Sequence, residues 1–136
     1  MSQFIKSYRA AVGINHVPAY QVSGRPFASA SIDGTITGGA KVEFPYVTRW
    51  IYVHNNGSTD VRVGFSQNGV LGSNYFVLNN KNGQREGASA RLELKVSELW
   101  VSGSNDVSVC AGLTTIPVSR ISGSTGPSYS GSIGVG

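Results

Sequence analysis

Between Thr48 and Leu113 the chain runs through short segments in which apolar and polar residues alternate, each cut from the next by a turn signal. A period of two is the mark of strands with one face buried, and repeated short strands predict an antiparallel sandwich or closed barrel. Thr48 to His54 (TRWIYVH) sets Ile51 and Val53 on one face with Arg49, and Trp50, Tyr52 and His54 on the other. Both faces are partly apolar, which suits a strand covered by a second sheet on one side and a neighbouring subunit on the other.

The remaining segments follow in the same manner. Asn55-Asn56-Gly57-Ser58 is a strong turn, and with Asp60 to Ser66, where Val61, Val63 and Phe65 face together, it predicts a hairpin. Gln67 to Asn74 reads as a loop, Tyr75 to Leu78 as a short strand, and the polar stretch Asn79 to Ala90 as an exposed loop. Arg91 to Val96 alternates with Leu92, Leu94 and Val96 inward, Glu98 to Val101 follows, Gly103 to Asp106 turns, and Val107, Val109, Ala111 and Leu113 give a last inward face. Upstream, FASASIDGTIT from Phe27 reads as an interrupted strand or hairpin, and Lys41 to Phe44 as a strand that Pro45 ends.

The total is about eight strands, and the fold class expected is all-β, an antiparallel β-sandwich of jelly-roll-like form in a single domain with extended N- and C-terminal arms. An immunoglobulin-like sandwich is the second choice, without the Cys and Trp spacing of a true immunoglobulin domain. The expected boundaries are an arm over 1–26, the β-domain over 27–116 and a Gly/Ser-rich arm over 117–136. In the first arm Ile5 to Val12 is rich enough in helix formers for a short helix, which Gly13, Pro18, Gly24 and Pro26 would stop.

Composition narrows the function. Charged residues make up 13% of the 136-residue chain, about half of the usual ~25%, so much of the surface is neutral and loses little on desolvation at an interface. The net charge is +4, but the 11 basic residues are scattered singly, without the clusters that nucleic acid rewards through counterion release. Cys110 is the sole cysteine, which excludes an internal disulfide, and it reads as a small buried hydrophobe rather than a nucleophile. The first twenty residues lack the continuous apolar core of a signal peptide, and no stretch approaches the ~20 apolar residues of a membrane span. Asn56-Gly57-Ser58 is formally a glycosylation sequon but reads as a turn tip.

Chemistry finds little support. His16 and His54 are the only imidazoles, no G-x-S-x-G elbow occurs, and both histidines read as hydrogen-bonded structural residues. Asp33, Asp60 and Asp106 lie at turns and read as acceptors for nearby backbone amides, not metal ligands. Glu43 with Glu93 would make a glycosidase pair only if the fold brought both to one face, and Glu93 alternates with Arg91 and Lys95 as an outward charge. Gly69-Val70-Leu71-Gly72 lacks the Lys and Ser or Thr of a phosphate loop. No catalytic residue, cofactor or metal is expected. The aromatic set Trp50, Tyr52, Tyr75, Phe76 and Trp100 reads first as core, with Trp50 or Trp100 as the platform of an alternative, carbohydrate-binding module.

The succession GRPFASASI (Gly24 to Ile32), KVEFPYVTRWIYVHNNGSTDVRVGFS (Lys41 to Ser66), NYFVLNN (Asn74 to Asn80), ARLELKVSELWVSG (Ala90 to Gly103) and TTIPVSRISGS (Thr114 to Ser124) resembles the single-jelly-roll minor capsid and capsid-cementing (decoration) proteins of icosahedral double-stranded DNA viruses and tailed phages. The resemblance covers most of the chain. It implies a non-enzymatic building block of the virion, made in the host cytoplasm, that forms a homotrimer and clamps the shell through contacts with the major capsid protein or other virion proteins. Specific nucleic acid and membrane are not implied as partners. In that setting the arms would reach across subunit boundaries, with Tyr8, Tyr20, Phe27 and Tyr129 as aromatic anchors.

Overall fold

The computed structural model describes residues 24–80, 91–121 and 128–136, together with Ile14. Among the described residues seven strands fall in two antiparallel sheets: β1 (Arg25–Ile32), β2 (Ala40–Glu43), β3 (Tyr46–Asn55), β4 (Val61–Gly64), β5 (Tyr75–Leu78), β6 (Glu98–Ser102) and β7 (Val107–Pro117). The first sheet has the order β1-β7-β3 and the second β2-β6-β4-β5. Residues 91–97 run antiparallel along the other edge of β3, where Ile51 and Leu92 exchange both backbone hydrogen bonds at 2.9 and 2.8 Å and Thr48 N donates to Val96 O at 3.0 Å. With that segment as an irregular eighth member, each sheet interleaves strands from the two ends of the chain, and the sandwich is jelly-roll-like.

Parity explains the core. Ile51 and Val53 of β3 and Val107, Val109, Ala111 and Leu113 of β7 meet Val61, Val63, Leu99, Val101 and Val42 of the second sheet in one buried cluster. β-Branched side chains dominate it, as two pleated faces packed on each other favour. Phe27 joins from β1, edge-on to Phe44 with ring centroids 5.0 Å apart. A β-bulge interrupts the alternation in β3: Thr48 pairs with Leu113 and Trp50 with Gly112, leaving Arg49 as the extra residue. Arg49 therefore does not share the inward face of Ile51 and Val53; Thr48 does, buried with its hydroxyl donating to Leu94 O at 2.6 Å.

The hairpin expected between 48–54 and 60–66 does not form. β3 has β7 on one edge and residues 91–97 on the other, so no edge remains for β4, which pairs instead with β5 and β6. The turn at 55–60 carries the chain from one sheet to the other. It is held by the fully buried Asn55, whose Nδ2 donates to Thr59 O at 2.8 Å and Asn79 O at 3.1 Å, while Oδ1 accepts from Gly57 N at 3.0 Å and Ser104 Oγ at 2.6 Å.

Two further differences concern the loops and the C-terminal stretch. The loop expected over 67–74 contains a short helix, α1 (Gln67–Leu71), started by Ser66, whose hydroxyl accepts from Gly69 N at 2.9 Å. The stretch expected as a C-terminal arm packs on its own domain where it is described. Ile121 is buried with Val47 and Ile116, Tyr129 rests against both hydrophobic clusters, and Ser66 Oγ donates to Val135 O at 2.8 Å. The N-terminal arm apart from Ile14, and most of the polar stretch 79–90, lie outside the described residues.

Asn55→Asp keeps the shape of the side chain but replaces two N–H donors with an acceptor facing carbonyl oxygens. Urea unfolding should show a loss of about 2–4 kcal/mol, against less than about 0.5 kcal/mol for the same change at exposed Asn105. Equal, small effects at the two positions would contradict the structural role given to Asn55.

Candidate functional site

The inward parity of β3 and β7 fixes what the first sheet shows to the outside. Register pairs give successive outward rows of Pro26, Gly112 and Trp50, then Ala28, Cys110 and Tyr52, then Ser108 and His54. None of these rows contains Lys, Arg, Asp or Glu. Trp50 lies across Gly112: a methyl group placed there would come within 2.3 Å of the indole Nε1, so the glycine is what lets the ring lie flat on the sheet. Beside it Ala28, Ala30, Tyr52, His54, Ser108 and Cys110 border a shallow hollow of about 310 Å³. Cys110 is exposed in it, not buried as the sequence reading had it, because its neighbours Val109 and Ala111 both point inward.

The outer face of the second sheet is different in kind. Cross-strand partners Lys41 and Trp100, and Glu43 and Glu98, stand side by side. Lys41 Nζ is 2.6 Å from Glu43 Oε1 and 6.0 Å from the centre of the Trp100 ring, and Glu98 accepts the indole N–H. The Glu43 partner raises the Lys41 ammonium above its ordinary pKa, and Lys41 in turn holds the Glu43 carboxyl below the usual carboxylate range. Farther along, Arg62 stacks on Tyr75, 4.7 Å from the ring centre.

The structure sorts the residues singled out from sequence. Trp50 and Trp100 are both half-exposed on outer faces, and Tyr52 is exposed, so core packing within the aromatic set falls to Phe76. Phe27 and Tyr129, expected as assembly anchors, contact their own hydrophobic core. Tyr8, Tyr20 and His16 lie outside the described residues. His54 has Ser108 as its cross-strand partner, and no hydrogen bond joins it to a serine, a cysteine or an acid among the described residues. Glu43 and Glu93 do not meet: they belong to different sheets, and each pairs with a cation two residues earlier, Lys41 at 2.6 Å and Arg91 at 2.7 Å. Asp33 is a turn acceptor, taking the Thr35 hydroxyl, which does most to lower its pKa, and Thr35 N at 2.9 Å, which lowers it further. Asp60 reaches farther, accepting from Asn80 N at 2.9 Å. Among the described residues no group of three or more His, Cys, Asp or Glu is placed to hold a metal ion, and no helix is long and apolar enough to cross a membrane.

Sequence reasoning passed over the Glu43–Glu98 juxtaposition. Both residues alternate with buried neighbours, Val42 and Leu99, so their outward direction was legible; the register that sets them face to face was not. No protein-family model, curated protein or solved structure matches the chain.

Gly112→Ala should push Trp50 off the sheet. With Trp100→Phe as background, fluorescence emission should move to longer wavelength, and unfolding should show a loss of about 1–3 kcal/mol. Unchanged emission and stability would contradict the packing of the indole on Gly112.

Proposed function

We propose that this protein is a structural virion component, a minor capsid or cement protein that acts through protein–protein contact and catalyses nothing. In this reading it assembles as a homotrimer and fastens to the major capsid protein, and the outer face of β1-β7-β3 is the docking surface. The observation that carries the proposal is the uncharged centre of that face, bordered by Arg49 at the β3 bulge and by Arg91, Glu93 and Lys95 along the segment 91–97. A flat, hydrogen-bonded sheet presenting Trp50, Tyr52, Ala28 and Cys110 loses little polar hydration when covered, and aromatic residues contribute disproportionately at interfaces. The low overall charge of the chain and its jelly-roll-like order support the same reading, and the resemblance of its strand segments to capsid-cementing proteins gives the partner class. Many identical copies with modest contacts suffice, because symmetry and multivalency multiply them.

The test is Tyr52→Glu, which places a charge at the centre of the face without touching the core. Circular dichroism and urea unfolding should stay within about 0.5 kcal/mol of the parent. Co-sedimentation with purified particles should weaken at least about tenfold, the scale of one lost interface anchor. Undiminished incorporation would refute docking through this face, and a monomeric mass for the parent in sedimentation equilibrium would refute the trimer.

A further inference from the structure

On the opposite side of the molecule the chain builds a cleft for which an assembly role gives no reason. Its floor is the outer face of β2 and β6, with Trp100, Lys41, Glu43 and Glu98, and Gln67 and Asn68 of α1 stand along one wall. The cleft measures about 470 Å³, within the range of roughly 300–1,000 Å³ found for small-molecule sites. Pairing to Glu98 fixes the edge of the indole, and the ring lies in the lining of the cleft in one orientation, with Lys41 Nζ over it at 6.0 Å from its centre. Around it stand the Glu43 and Glu98 carboxylates as acceptors, and the Asn68 carboxamide, which has no hydrogen-bond partner among the described residues.

This combination suits one chemistry. A pyranose ring has an apolar C–H face that lies on an aromatic surface and a rim of hydroxyls that both donate and accept. Hydrogen bonds from hydroxyls to carboxylates are the stronger, charge-assisted kind. Two carboxylates against one ammonium leave the cleft with a formal charge of −1, which disfavours sugars bearing their own carboxylate or sulfate. We propose that the Trp100 cleft is a saccharide-binding site selective for neutral hexoses, the ring stacked on the indole and its hydroxyls held by Glu98, Glu43 and Asn68. The inference stands apart from the assembly reading, because it concerns the other sheet and needs none of the residues on the uncharged face.

The two indoles provide a built-in control. Methyl α-mannoside, methyl β-galactoside and methyl β-glucoside, and N-acetylneuraminic acid as the anionic counterpart, are each titrated to tens of millimolar while the indole N–H resonances of Trp50 and Trp100 are followed by NMR. At least one neutral glycoside should shift the Trp100 resonance in a saturable way and leave Trp50 in place. Glu98→Gln and Asn68→Ala should each weaken that binding about three- to tenfold, and Trp100→Ala should abolish it; the first two variants keep the test valid if the third fails to fold. No shift at Trp100 with any neutral glycoside, equal shifts at both indoles, unaltered affinity in the Glu98 and Asn68 variants, or equal or tighter binding of N-acetylneuraminic acid would overturn the proposal.

Discussion

A buried carboxamide at the end of β3 governs the path of the chain. Asn55 is fully buried and binds backbone or side-chain atoms of residues 57, 59, 79 and 104, so it joins the end of β3 to the start of β4, the end of β5 and the turn before β7. Each such bond contributes only about 1 kcal/mol net, yet removing the hub would leave the buried Gly57 N–H, the Ser104 hydroxyl and the Leu78 carbonyl without this partner, which costs more than the bonds themselves. Because the carboxamide is turned inward, the chain leaves the first sheet at Asn55 and enters the second at Val61. That crossing separates β3 from β4 and permits the interleaved order of both sheets.

Once the two inner faces are committed to one valine-rich interior, the outer faces follow from parity, and they differ sharply. At its centre, over β1, β7 and β3, the first sheet shows neutral side chains packed low on the backbone, with Trp50 laid over Gly112. The second shows paired charges, an oriented indole and the short helix α1 beside them. Burying the first face costs little desolvation, whereas the Lys41, Glu43 and Glu98 groups would lose water if a protein covered the second. That difference in desolvation cost is the physical basis of the two proposals, protein contact at one face and a small, hydroxyl-rich ligand at the other.

Much of this was legible in the chain. The alternation in 107–113, the strand at 75–78, the stop at Pro45 and the inward set Leu92, Leu94 and Val96 follow from period two, and the structure keeps each of them. Partner choice was not legible, since Asn-Asn-Gly-Ser suits a hairpin turn and a crossing between sheets alike, and only the occupied edges of β3 decide. Cys110 could have been placed outward from Val109 and Ala111, but its residue type argued for burial and prevailed over parity. The helix at 67–71 was hidden by Gly69 and Gly72, although Ser66 is a good helix N-cap. The bulge at Arg49 breaks the strict alternation from which Arg49 was placed with Ile51 and Val53.

The proposed virion role requires that the outer face of β1-β7-β3 be covered by another protein in the particle. Cys110 reports on that directly, because it is the only cysteine of the chain and is exposed on that face. Its rate of reaction with a maleimide, measured on the isolated protein and on intact purified particles, should fall at least about tenfold in the particle and recover when the shell is dissociated under native conditions. Equal rates in both states would contradict the account.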